Sequence, residues 1–166
     1  MSAFAEILEN VAHAQAKKRA ITNYGVLNEA YAYPKPSSFS RGMRIDLGSV
    51  TILLISGTAS IDENGKSVHI GDFRAQMQRT LSNITGLLAS EGCTWHDIVR
   101  TTCYLRDIER DYEAFNEERT AFYKEQGLDT LPASTGIQAI LCRPELLIEI
   151  EAIAMFRTSK TETGKE

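Results

Sequence analysis

At 166 residues, 43% hydrophobic and 24% charged, the chain has the length and composition of one soluble globular domain. A formal charge of −4 gives it no basic surface for nucleic acid, and no apolar run approaches the roughly 20 residues of a membrane span. The N-terminus lacks the basic-then-apolar order of a secretory leader. Cys93, Cys103 and Cys142 cannot all pair within one chain, and His13, His69 and His96 show no ligand spacing, so a reducing, cytoplasmic setting without metal is expected.

Phe4, Ile7, Leu8, Val11 and Ala14 recur at helical spacing, which predicts an amphipathic helix over 3–19 with Lys17-Lys18-Arg19 at its solvated end. A polar connection with Pro34 and Pro36 follows. Met43–Leu47 and Val50–Ser56 read as strands joined by the two-residue turn Gly48-Ser49, with Gly57 ending the second. Asp62-Glu63-Asn64-Gly65 is a turn. Phe73, Met77, Leu81, Ile84 and Leu88 mark a helix over 72–90, capped by Asp72 and stopped by Gly92. A strand over Val99–Arg106 precedes a second helix from about Asp111 to Gln126, whose stripe is Tyr112, Phe115, Phe122 and Tyr123. Strands over Ser134–Leu141 and Leu146–Phe156 close the domain, and Thr158–Glu166 is a polar tail.

This order, β-β-α-β-α-β-β after an N-terminal helix, predicts a two-layer α+β sandwich with both helices on one face of the sheet. Residues 1–37 form the helix and linker, 38–157 the domain and 158–166 the tail. The last strand is the most informative segment. Ile148, Ile150, Ala152 and Ala154 share one face, while Leu147, Glu149, Glu151, Ile153 and Met155 share the other. Both faces are largely apolar, so a second copy of the chain is expected to cover the one without helices. Two carboxylates on such a surface need partners or a cleft.

Several patterns in this order resemble the Rid (YjgF, reactive-intermediate deaminase) family: I-D-L-G at 45–48, I-S-G at 55–57, G-D-F-R-A-Q at 71–76, D-I-V-R-T-T at 97–102, F-N at 115–116, L-P-A at 131–133 and I-E-I-E-A-I-A at 148–154. The resemblance implies a chorismate-mutase-like homotrimer with pockets in the clefts between subunits, and hydrolysis of enamines or imines to 2-oxo acids and ammonia, without a cofactor. It carries the pocket glutamate onto Glu149, the helix asparagine onto Asn116, the pocket tyrosine onto Phe39 and the backbone site after I-S-G onto Gly57 and Thr58. The family arginine directly after Pro-Ala falls on Ser134. One neutral hydroxyl replaces a planar fork of five donors there, which argues against copying the imine-deaminase activity across. The segment 132–151 also resembles the C-terminal half of chorismatases, in which the positions of Glu149 and Cys142 belong to the active site.

Glu149 is the expected general acid/base, since an apolar surface raises a carboxyl group towards neutrality. Glu151, on the same face, is expected to be structural. Arg143, in the loop before the last strand, is the candidate to replace the missing guanidinium. Cys142 has no histidine spaced to activate it and is expected to line the pocket. Ser134 has no nucleophile-elbow context and is expected to bond a ligand or the backbone, and the amides near Gly57 and Gly136 to hold an oxyanion. The expected ligand is a small carboxylate or carbonyl metabolite, with non-catalytic binding and chorismatase-like hydrolysis as the alternatives.

Overall fold

The computed structural model describes residues 16–33 and 36–158. Its six strands, β1 (Lys17–Ala20), β2 (Gly42–Leu47), β3 (Val50–Ala59), β4 (Ile98–Leu105), β5 (Ala133–Gln138) and β6 (Ile148–Arg157), form one sheet in the order β1-β2-β3-β6-β4-β5. Only β4 and β5 run parallel. Helices α1 (Phe73–Ser90) and α2 (Ile108–Glu125) share a core with one face of the sheet, so the α+β architecture is as expected.

Local chemistry places these elements. Asp72 accepts from the Ala75 amide to start α1, and Asp107 accepts from the Arg110 amide to start α2. Gly92 and Gly127 end the helices at φ of 72° and 68°. All five residues of the predicted α1 stripe are buried. In α2 the stripe is narrower: Phe115 and Tyr123 are buried, whereas Tyr112 is exposed.

Three boundaries differ from expectation. Lys17–Arg19 do not end a helix; they lie in β1, an edge strand paired to β2 from Lys17↔Asp46 to Ala20↔Met43, and residues 3–15 lie outside the described part. Four exposed residues carry no periodicity that would reveal such a strand. Gly57 does not end β3, which continues to Ala59 through a register shift between Ile55 and Thr58. The strand predicted to reach Leu141 stops at Gln138, because residues 139–147 fold back as a loop over the sheet.

β6 alternates as predicted. Ile148, Ile150, Ala152 and Ala154 are buried under the helices, and the opposite face has no helix over it among the described residues. Met43, Ile45, Ile52, Leu54, Ile153 and Met155 line that open face, and Leu54 and Met155 remain 41% and 47% exposed. Among the described residues, its end near Ala59 and Tyr104 is capped by Leu141 and Leu146 of the 139–147 loop.

Candidate functional site

Next to this capped end lies a cavity of about 300 Å³, lined by Phe39, Gly57, Cys142, Arg143 and Glu149 together with Tyr33 and Arg41. The β3 bulge opens it. Gly57 sits under Glu149 so closely that an added Cβ would collide with the carboxylate. Ala59 pairs with Glu149 across β3 and β6, and Tyr104 pairs with it from β4.

Glu149 has no hydrogen-bond or ion-pair partner among the described residues. Burial raises its pKa above the ordinary value, and the neighbouring Glu151 charge adds to the rise. Glu151 lies beside the Tyr104 phenol, whose own pKa is raised by burial and then by Glu151. One acid thus lines the cavity, and the other lies beside Tyr104 of the neighbouring strand.

Two guanidinium groups stand against the same wall. Arg41 is only 3% exposed; its Nε and Nη2 donate to the Asn28 carbonyl at 3.0 and 2.7 Å. Arg143 donates to the Gly65 carbonyl at 2.7 Å and to Ser67 at 3.2 Å. Both lie over the Tyr33 ring, at 4.8 and 5.6 Å from its centroid. Burial lowers the Arg41 pKa; Glu29 opposes that shift and Arg143 adds to it. Neither arginine has a carboxylate within ion-pair distance among the described residues. Among the described residues the Tyr33 hydroxyl is buried without a partner, as is Oε1 of Glu29. Buried polar atoms left unsatisfied mark a place where a ligand can complete the hydrogen bonding.

The loop carrying Cys142 and Arg143 is held from outside itself. Arg106 donates to the carbonyls of Leu146 and Arg143 at 2.5 and 2.6 Å. Gln76 of α1 donates to the Glu145 carbonyl and accepts from the Leu147 amide. Cys142 is exposed at the cavity. Cys93 and Cys103 are buried thiols, the first pushed up to about 12 by burial, and neither belongs to the site.

The remaining expected residues do not join this cavity. The Thr58 side chain is buried, and its hydroxyl donates to the Ser56 carbonyl. Ser134 pairs with Thr101, which pairs with Ala152, three residues from Glu149. An odd offset places Ser134 and Glu149 on opposite faces of the sheet, about 14 Å apart by strand spacing. Within one chain the serine therefore does not stand opposite the acid. Gly136 is on the same edge strand as Ser134, paired with Cys103. Asn116 reaches neither group; its amide donates to the Tyr112 carbonyl and its oxygen accepts from Arg119. Sequence reasoning missed Tyr33 and Arg41, which precede the recognised motifs, and Arg119, which reaches Ser134 from α2.

The fold and this cavity define a small α+β domain with a carboxylate-bearing pocket at the end of its sheet. Residues 34–156 match the family model described as Endoribonuclease L-PSP. The chain belongs to this family, the YjgF/Rid proteins. It is 34% identical over 103 residues to the 3-aminoacrylate deaminase RutC of Acinetobacter baylyi, covering 62% of this chain and 78% of that protein. It is 33% identical over 113 residues to the 2-iminobutanoate/2-iminopropanoate deaminase of Salmonella typhimurium, covering 68% and 84%. The crystal structure of the YjgF gene product from E. coli superposes with a TM-score of 0.66 at 27% identity, over 82% of this chain and 97% of that one.

Proposed function

We propose that the chain hydrolyses a small imine or enamine bearing a carboxylate, with Glu149 as the proton-transfer group. The observation that carries this reading is the unpartnered Glu149 carboxyl, seated on Gly57 with its pKa raised, facing a cavity walled by Arg41 and Arg143. Two deaminases among the relatives give the reaction class. Arg143 and Arg41 replace the guanidinium absent at Ser134 and hold the substrate carboxylate. An enamine first takes a proton at carbon to become the imine; water then adds to the C=N carbon as Glu149 takes one proton from it and delivers it to nitrogen, and Glu149 next carries the carbinolamine hydroxyl proton to nitrogen as the C–N bond breaks, so that ammonia leaves and an oxo acid remains. The backbone around Gly57 steers the water. A cavity of this size and a formal charge of −4 favour a metabolite over RNA.

The assembly in this proposal is a homotrimer, with the open apolar face of each sheet packed against its copies and the cavities opening into the clefts between them. Light scattering should return three chain masses, and a monomer would remove this part of the reading.

Ammonia release from freshly generated 2-iminopropanoate and 3-aminoacrylate tests the chemistry. Glu149→Gln should slow it by about 10²- to 10⁴-fold relative to the unaltered chain. Equal rates in the two proteins, with a small carboxylate still raising Tm, would instead favour a non-catalytic binding protein. A second reading, chorismatase-like hydrolysis, draws on one observation: Cys142 and Glu149 line the same cavity. Chorismate belongs in the same assay for that reason.

A further inference from the structure

The Glu149 cavity is the inner part of a longer cleft. A second hollow, of about 660 Å³, adjoins it, and the two share Tyr33, Ser37, Cys142 and Arg143. Of the charged side chains, Arg41 and Glu149 line the inner part alone, and Lys66 and Glu145 the outer part alone.

Local structure fixes the outer wall. Gly65 sits in the left-handed region at φ of 79°, and a Cβ there would collide with the Tyr33 ring. Asp62 holds the Lys66 main chain from both sides: its amide donates to the Lys66 carbonyl at 2.8 Å, and its carboxylate accepts from the Lys66 amide at 2.8 Å. The Lys66 ammonium itself has no hydrogen bond or ion pair among the described residues. Arg143 uses one nitrogen, Nη1, on the Gly65 carbonyl and Ser67. Its Nε and Nη2 carry three further N–H donors, which the described residues leave unused.

The outer part also carries an excess of positive charge. Lys66 and Arg143 face one acid, Glu145, which Ser67, its own backbone amide and Arg143 hold below its ordinary pKa. The nearby Asp62 and Glu63 are engaged elsewhere, the first by amides of its own turn and the second by Arg79. One cation is therefore left over in the outer part, whatever the protonation of Glu149.

Building on the hydrolysis proposed above, we infer that the substrate is a dicarboxylic imine or enamine, with its second carboxylate seated on Lys66 in the outer part. The carboxylate next to the C=N group lies against Arg41, and Arg143 stands between the two. Arg41 and Arg143 lie 4.8 and 5.6 Å from the same Tyr33 centroid, so one ring sets their separation. A short carbon chain spans it. The fixed main chain at Lys66 and the planar fork of Arg143 lower the ordering cost of holding that second group. A monocarboxylate would leave the outer cation facing water.

Calorimetric titration of the full chain with 2-oxoglutarate and 2-oxopentanoate tests this. Both are stable, product-like 2-oxo acids of equal chain length, and only the first has a terminal carboxylate. 2-Oxoglutarate should bind at least tenfold more tightly. Lys66→Met, at an exposed side chain, should weaken 2-oxoglutarate at least fivefold and leave 2-oxopentanoate within twofold. Lys66→Arg should keep the preference. Lys124→Met removes the same charge from the end of α2 and should change neither affinity. Dependence on Lys66 places the ligand in this cleft and away from Ser134. The inference is overturned if the two acids bind alike, if neither binds, if Lys66→Met keeps the preference, or if Lys124→Met also removes it. Its failure is distinct from that of the hydrolysis. Ammonia release that is lost in Glu149→Gln, with equal affinity for the two oxo acids, keeps the reaction and strikes the diacid. Lys66-dependent preference for 2-oxoglutarate, with no ammonia released from any imine, keeps the diacid site and strikes the reaction.

Discussion

Two glutamates in this fold, Glu91 and Glu149, occupy opposite kinds of surroundings. Glu91 follows α1, and its side chain is 3% exposed. Both its oxygens are used: Arg19 of β1 donates at 2.9 and 2.6 Å, and Arg44 of β2 donates at 3.2 Å. Arg44 is shared in turn with Asp46, which that hydrogen bond and the one from Thr51 hold below its ordinary pKa. Glu149 has two arginines along its cavity and is bonded to neither. A charge satisfied on every side fastens an edge strand; a charge left unsatisfied, with its pKa raised, is available to a substrate.

The sharpest way to break this contrast is to neutralise each acid in turn. Glu149→Gln should cost two to four orders of magnitude in turnover and leave the fold intact; a loss of folding instead would class it with Glu91. Arg41→Met comes next. If Arg41 holds the substrate carboxylate as proposed, removing this buried charge should raise KM by tens to hundreds of fold, corresponding to about 2–3 kcal/mol, with a smaller change in kcat. An unchanged KM would leave Arg143 as the sole anchor. Glu91→Gln should leave turnover alone and lower stability by about 2 kcal/mol in urea unfolding, less than a fully buried pair would lose because Arg19 is half exposed.

The smallest effect is a linkage. Glu149 has a raised pKa in the fold, so the folded chain holds its proton more tightly than the unfolded chain does. That contribution is complete below the ordinary value of 4.5 and is lost as pH rises through the folded value. Glu149→Gln should therefore match the parent in Tm near pH 4 and exceed it by about 2–4 °C near pH 7.5. A gap of the same size at both pH values would mean the acid is not strained.

Much of this was legible in the residues. The alternation of Ile148–Met155 separated two faces of the last strand, and the family resemblance pointed to Glu149, Gly57 and Phe39, which line one cavity. The parity of Ser134 was not legible, because it depends on β4 lying between β5 and β6, and sheet order is a tertiary fact. Arg41 and Tyr33 were missed for a similar reason: they reach the cavity only once the 139–147 loop folds back over them. β1 carries too few residues to show a period, and its ion pair crosses from Arg19 to Glu91. Tyr33, from a segment with no motif at all, brings a phenol to the same cavity as Phe39.

The grip of Arg106 and Gln76 on the 139–147 loop bears on how the protein can change. Both reach main-chain groups, which every amino acid presents alike. The path of that loop is thus written largely in β4, α1 and their side chains, with Leu141 and Leu146 as its buried anchors, and the identities at 142–145 can be exchanged without redrawing it. A lineage could retune what the cavity accepts by substituting Cys142, Arg143 or Pro144 one at a time, on a frame that never registers the difference.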